Sequence, residues 1–414
     1  MATAAGSSAT APTSRPPATA AKDDTAYARA VLDAVRGAPP VLCALAADAL
    51  DGSGGRWAYD APEAGADART HAVIRWATRS RPEHAAVDLL LGALRDVDAC
   101  VRRVAATLLG RSSESERTVD GLVAALRAAS PATRAAAVLA LGYLEPAEAF
   151  EPLVRALRDE SVFVRARSAW ALGALEQPGA VEPLVAALDD VAARVRAEAA
   201  RALGRIEATA AVDPLIRALA RDHAAEVRAA AAGALGRTGS DDALAALAEA
   251  LGDDSDSVRR TAAWALGRIE DGAAVTHLTG ALDDPDAEVR EMATWALGQI
   301  EAHPATVAVT AALRRDGEAS VRETAAWALG RIGDPAGVEP LAAALGDEDP
   351  RVRSSALWAL AGLDRSSAEP ALIEALRDGD PQVRAMAARA LAGRGAGPRP
   401  APRPRPRPLP PSSS

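Results

Sequence analysis

Aromatic residues are scarce in this chain: two Phe, three Tyr and seven Trp make up 3% of 414 residues. A core built on large rings is excluded, and the apolar half of the composition is mainly alanine and leucine. Lysine is scarcer still, with Lys22 the only one beside 46 arginines. High-GC coding explains that bias most simply, since a salt-adapted chain would be more acidic still. Only two cysteines occur, Cys43 and Cys100, without a CxxC pair. That argues against a disulfide framework and a zinc site, and predicts two separate buried thiols. No apolar run approaches the roughly 20 residues that cross a bilayer. The opening "MATAAGSSATAPTSRPPATAAKDD" lacks the charged and leucine-rich regions of a secretory leader. A cytoplasmic protein without membrane contact is expected.

Catalytic signatures are missing as well. No HExxH, Ser-His-Asp order or glycine-rich phosphate loop is present. "DGSGG" (51–55) lacks the lysine and following helix of a phosphate cradle and reads as a flexible insertion. The net charge of −9 is uneven: Arg15 and Lys22 make residues 1–22 positive by two, and five arginines make residues 394–414 positive by five. The middle therefore carries −16 of that total. Such an acidic body excludes general nucleic-acid binding, which needs a basic face.

What is present is a repeat. Arg102, Arg134, Arg165, Arg196, Arg228, Arg259, Arg290, Arg322, Arg353 and Arg384 follow one another at gaps of 31 or 32 residues, each after an anchoring valine, with Thr133 standing in once. Seven residues after each arginine comes Leu-Gly, from Leu109-Gly110 to Leu329-Gly330, with Leu360-Ala361 and Leu391-Ala392 in the last two copies. A fixed period of this length marks a stacked array. Each unit holds two helices. The first, as in "AVEPLVAALDD" (180–190), has apolar residues at helical spacing and a proline in its first turn: Pro152, Pro183, Pro214, Pro340 and Pro370. The second, as in "SVRRTAAWALGRIE" (257–270), is alanine-rich and runs into a Gly- or Pro-containing link. Strand signals are absent. A lone hairpin cannot bury its apolar stripe, so the fold class is all-α, a solenoid of stacked two-helix units.

The chain divides into a disordered arm (1–23), a degenerate cap (24–83), ten repeats (84–393) and an extended, disordered Pro/Arg-rich tail (394–414). In the cap, "TAYARAVLDAVRG" and "PPVLCALAADALDG" read as helices and 51–67 as a loop. "ARTHAVIRWATRS" then mimics a second helix, placing Arg69 about one period before Arg102.

The pattern D-x-x-V-R-x-x-A-A-x-A-L-G-x-I-G-D over 84–393 resembles the HEAT-like repeat of the phycobilisome-lyase type. That resemblance implies an α-solenoid whose second helices line a concave side. Its relatives include chromophore lyases, a diiron hydroxylase and many plain binding scaffolds. The hydroxylase relatives use repeated His-Glu pairs as metal ligands, and no such dipeptide exists here. His71, His84, His223, His277 and His303 stand at non-equivalent positions, so no metal and no cofactor are expected.

Counting each second helix from its valine as zero, positions 0, 4, 7, 8 and 11 share one arc and position 6 lies opposite. Position 6 holds Trp170, Trp264, Trp295, Trp327 and Trp358, five of the seven tryptophans, while other copies hold Thr107, Leu139, Arg201, Gly233 or Arg389. The fold does not demand an aromatic there, and tryptophan is enriched where proteins meet. Two readings follow: a ladder kept for a partner, or rings that pack among themselves. Around it stand Arg268, Gln299 and Arg331 four residues on, with Arg260, Glu291 and Glu323 four residues before and Met292 beside them. That mixture suits a protein or peptide. An aspartate five residues before the valine recurs in nine units, from Asp96 to Asp378, and reads as a regular Asp–Arg ladder tying successive turns together, its members surface pairs that are individually weak. The sequence thus describes a monomeric, non-catalytic interaction scaffold; the alternative is a lyase- or chaperone-like protein holding a tetrapyrrole or its acceptor.

Overall fold

Alanine-rich stretches bounded by Asp, Ser, Pro and Gly become helices because little side-chain entropy is lost and the ends are capped. The computed structural model describes residues 24–38, 43, 84–112, 116–363 and 365–392, and among these no residue is in a strand. The chain is an all-α solenoid that splits into two compact units, 1–175 and 176–414.

The first unit holds α1 (Asp24–Val35) and three helix pairs. These are α2 (His84–Ala93) with α3 (Ala99–Gly110), α4 (Glu116–Ala125) with α5 (Pro131–Leu144), and α6 (Phe150–Ala156) with α7 (Val162–Ala174). Six pairs of the second unit run from α8 (Val181–Ala187) and α9 (Ala193–Arg205) through α10 (Val212–Arg221) and α11 (Ala225–Thr238) to α12 (Leu244–Ala250) and α13 (Asp256–Ile269). They continue with α14 (Val275–Gly280) and α15 (Ala287–Gln299), α16 (Thr306–Arg315) and α17 (Ala319–Ile332), and α18 (Val338–Ala344) and α19 (Pro350–Gly362). A seventh pair, α20 (Arg365–Ala375) and α21 (Pro381–Leu391), closes the described residues.

Most expectations about the elements hold. Pro152, Pro183, Pro214 and Pro340 are third residues of their helices, but Pro370 falls inside α20, deeper than a first turn. Asp286 caps α15 by accepting from the Glu288 and Val289 amides, and Asp98 caps α3 in the same way. The core is the expected arc: in α13, Val258, Ala262, Ala265 and Leu266 are fully buried, and the same positions repeat along the array. Of the cap, α1 is the helix expected at "TAYARAVLDAVRG". The other cap helix, the 51–67 loop, Arg69, the N-terminal arm and the Pro/Arg-rich tail lie outside the described residues.

Two expectations need correction. Cys43 and Cys100 are not separate thiols but a disulfide, with Cα atoms 5.4 Å apart and 57 residues between them. The bridge fastens the cap to α3, a proximity that sequence separation cannot reveal. The Asp–Arg pairs are not surface pairs either. Along most of the array the arginine grips the aspartate of the following repeat with a two-pronged fork, as when Arg259 Nε and Nη2 donate to Asp284 at 2.7 and 2.9 Å. Its Nη1 turns back to the carbonyl of its own repeat's Asp253 at 3.0 Å. Asp284 Oδ1 also accepts the Asp286 amide. In the second unit the arrangement runs unbroken from Arg196–Asp222 to Arg353–Asp378, and the Asp284 side chain is only 7% exposed. The first unit has Arg134–Asp159, and at its start Arg36 from α1 holds Asp96.

Candidate partner-binding face

The Leu-Gly signature explains how the second helices approach. A methyl group placed on Gly267 would lie 2.8 Å from Ala296 Cα, and one on Gly236 2.7 Å from Ala265 Cα. Neighbouring second helices of the second unit therefore meet backbone to backbone, while successive first helices touch only slightly.

Each tryptophan fills the rest of that approach. Cζ3 of Trp264, Trp295, Trp327 and Trp358 would stand 3.0, 2.9, 2.7 and 3.1 Å from a methyl on Gly236, Gly267, Gly298 and Gly330, the glycines of the preceding repeats. In the first unit, Trp170 covers Gly142 in the same manner and meets Tyr143 edge to face, with ring centroids 5.3 Å apart. The rings thus lie over the preceding repeat's glycine. Trp327 is 6% exposed, and Trp170, Trp264, Trp295 and Trp358 are half-buried. Met292, placed on this face from the sequence, is 2% exposed and packs between helices, where no partner reaches it. Position 3 faces the preceding helix too closely to stay open.

The polar residues beside the rings follow a rule that sequence reading missed. Position 2 of one second helix meets the residue just before the valine of the next. Arg260 pairs with Glu288, Glu291 accepts a hydrogen bond from Ser320, and Glu323 faces Arg351 at 4.0 Å. Offsets of 28 or 29 residues carry the signal, hidden because residue types change from copy to copy. Arg331 Nη2 binds Glu301 at 2.8 Å, so its charge is engaged; Arg268 is exposed and Gln299 half-buried. Burial pushes the Glu291 carboxyl above its ordinary value, against the pull of Ser320 and the Arg351 charge. Burial does the same to Glu323; Arg351 opposes it, and the nearby carboxylates of Asp349 and Glu291 add to it. Arg351 itself is bound to Asp349 at 2.8 Å. Two adjacent repeats therefore hold half-buried carboxylates whose burial outweighs the pull of their neighbours, beside the half-buried Trp295 and the buried Trp327.

Among the described residues no group of His, Cys, Asp and Glu could hold a metal ion, and no helix is long and apolar enough to cross a membrane. The sequence matches the family pattern described as HEAT repeats at residues 119–199, 181–267, 250–314 and 306–392. Comparison with curated proteins finds no match. A crystal structure of importin beta is similar at 15% identity and a TM-score of 0.58, covering 91% of this chain and 58% of that one. Yeast importin-beta (Kap95p) is similar at 17% identity and 0.55, covering 89% and 61%. A third structure, concerning Kap95p binding to RanGDP, gives 14%, 0.52, 89% and 66%. At these identities the likeness concerns the fold alone.

Proposed function

The chain belongs to the HEAT-repeat family, and from that premise we propose that it is a protein-interaction scaffold whose second-helix face binds a protein or peptide between Trp264 and Trp358. The observation that carries the reading is the pair Glu291 and Glu323. Half-buried carboxylates with raised pKa values detract from stability at neutral pH, and a fold that needed only to stack would be better served by neutral residues there. Indoles beside them supply apolar contact and a surface for cations. Closer packing on the second-helix side curves the unit toward that side, which supports it as the inner face. Kap95p, a solenoid of similar fold, binds RanGDP. The mode of action is binding, with no catalytic step on this face, in a monomer of the cytoplasm.

The test is affinity capture from native lysate with wild type, Trp264→Ala/Trp295→Ala and Val307→Ala. Val307 lies on a first helix, 82% exposed, and serves as a control. A partner kept by wild type and the control and lost by the tryptophan variant, with helical circular dichroism unchanged, is the expected result. Equal capture by all three would sink the reading.

A further inference from the structure

The second-helix face changes character just before the first tryptophan of the run that starts at Trp264. Position 6 there holds Arg201 and Gly233 instead of tryptophan. Position 10 holds Arg205, Arg237 and Arg268 in three successive second helices, α9, α11 and α13. Resting on the scaffold reading above, we infer that this end of the face takes an acidic peptide segment, with its carboxylates on Arg237 and Arg268 and an apolar residue between them against Trp264.

Because Gly233 has no side chain, Arg237 lies over the glycine of the preceding repeat, the place that tryptophan fills elsewhere. A methyl group on Gly204 would stand 3.1 Å from its Nε, and one on Gly233 4.0 Å from its Nη2. The guanidinium is thus packed against the two helices, which lowers the entropy lost when a ligand binds it. Its side chain is still exposed, as is that of Arg268, so a ligand reaches both. Trp264 stands between them: its ring edge lies over Gly236, the residue before Arg237, and Arg268 follows it by one turn.

Elsewhere in this row an arginine is answered by the carboxylate just beyond the preceding second helix, as Arg331 is by Glu301 at 2.8 Å. The residue equivalent to Glu301 is Gly239 for Arg268 and Glu207 for Arg237. Among the described residues neither guanidinium forms an ion pair or a hydrogen bond. The charges around them are otherwise accounted for. Arg201 binds Glu198 of its own helix at 2.9 Å, Arg260 binds Glu288, Arg205 is engaged, and Glu207 and Glu270 are exposed residues at helix ends. Burial, and then the like charges of Arg205 and Arg201, push the Arg237 pKa below the ordinary arginine value; Glu207 alone pulls the other way. An arriving carboxylate relieves that repulsion and gains the two-pronged, charge-assisted contact for which a guanidinium is shaped.

Size selects the kind of anion. Packed helices stand roughly 8–10 Å apart, and a peptide in the polyproline II conformation with acidic residues three apart spaces them by about 9 Å. One arginine per repeat therefore meets every third residue, and a proline between two of them meets the indole as such segments do on aromatic-lined grooves. The basic row stops at Gln299, and the body of the chain is acidic. A nucleic acid, charged at every nucleotide, finds too short a positive track here.

The experiment uses a labelled peptide of three Glu-Ala-Pro units and full-length protein, read by fluorescence anisotropy at low salt. The proteins are wild type, Arg237→Gln/Arg268→Gln, and a control, Arg217→Gln/Arg314→Gln, which removes two exposed arginines of first helices and the same charge. The expected result is equal binding to wild type and control, and binding at least tenfold weaker to Arg237→Gln/Arg268→Gln with its helical circular dichroism unchanged. A Gln-Ala-Pro peptide should bind wild type at least tenfold more weakly, and added salt should weaken the glutamate peptide. Arg268→Gln alone, at a side chain with no contact to lose, should show a loss of at least threefold and decides the matter should the double variant not fold. No binding to wild type, binding that the Arg237 and Arg268 changes leave untouched, or an equal loss in the control would overturn the inference. So would an oligothymidylate of nine nucleotides that competes better than the glutamate peptide, which would assign the row to phosphates. If the peptide fails while Trp264→Ala/Trp295→Ala still loses the lysate partner, the scaffold reading stands and only the acidic preference falls.

Discussion

Gly267 and Gly233 both sit in second helices, yet alanine should act on them in opposite directions. At Gly267 the new methyl would meet Ala296 Cα at 2.8 Å and Trp295 Cζ3 at 2.9 Å, and backbone cannot give way as a flexible side chain can. Overpacking of that kind costs about 1–3 kcal/mol. Gly233 occupies position 6, where other repeats have tryptophan, and its methyl would meet Thr261 Cγ2 at 3.5 Å and Arg237 Nη2 at 4.0 Å, both ordinary contacts. There the helix propensity of alanine over glycine contributes about 1 kcal/mol. Urea unfolding should show a lower midpoint for Gly267→Ala and a higher one for Gly233→Ala; shifts of the same sign would refute this account of the Leu-Gly signature. The sequence displayed both the glycine and the tryptophan as repeating letters. Their relation was hidden, because the ring covers the glycine of a different repeat, about 28 residues away. Met292 was misplaced for a similar reason: its burial depends on the neighbouring helix and not on its own.

Elements were more legible than contacts. Period and apolar spacing located both helices of each unit, since a two-helix hairpin writes its buried stripe into its own sequence. Helix ends carried less signal. Most second helices are followed by a residue in the left-handed conformation, which is glycine at Gly239 and Gly333 but glutamate at Glu145, Glu176, Glu207, Glu270 and Glu301. A side chain there costs roughly 1 kcal/mol that glycine avoids. Glu301 holds Arg331, whereas Glu270, at φ 60° after α13, ends its helix as Gly333 does, with its N–H donating to a leucine carbonyl four residues back. Glu270→Gly should therefore raise the thermal midpoint, by an amount matching about 0.5–1 kcal/mol, while Glu301→Gly gains less because the Arg331 contact goes. Calorimetry on the two variants decides it: a midpoint lowered by Glu270→Gly would mean its side chain has a role the backbone does not explain.

At the scale of the molecule, the Asp–Arg ladder turns a row of local pairs into one chain of forks through the second unit. Both partners and a ladder tying successive turns together were visible in the sequence, but not that stacking buries it. Its charge makes stability depend on pH with a definite sign. Burial alone would raise the carboxyls of Asp222, Asp253, Asp284, Asp316, Asp347 and Asp378; the guanidinium forks and the amide of the residue two further on outweigh it and hold them below the ordinary range. A carboxyl lowered by folding stabilises fully above its unfolded pKa, about 3.9, and loses that contribution as pH falls through its lower folded value. Glu291 and Glu323 act the other way. Their raised values detract from stability at neutral pH, and protonation relieves this as pH falls toward the ordinary glutamate range. Denaturant midpoints of wild type should therefore rise slightly from neutral to mildly acidic pH and then drop steeply below about pH 4. Glu291→Gln/Glu323→Gln should be more stable than wild type at pH 7 and lack the rise. Asp284→Asn, which leaves the largely enclosed Arg259 without its carboxylate, should lose about 3 kcal/mol at pH 7, and its deficit should shrink in acid as the wild-type ladder becomes protonated. A deficit for Asp284→Asn that stays constant down to pH 2.5 would show that shape rather than charge holds the repeats together.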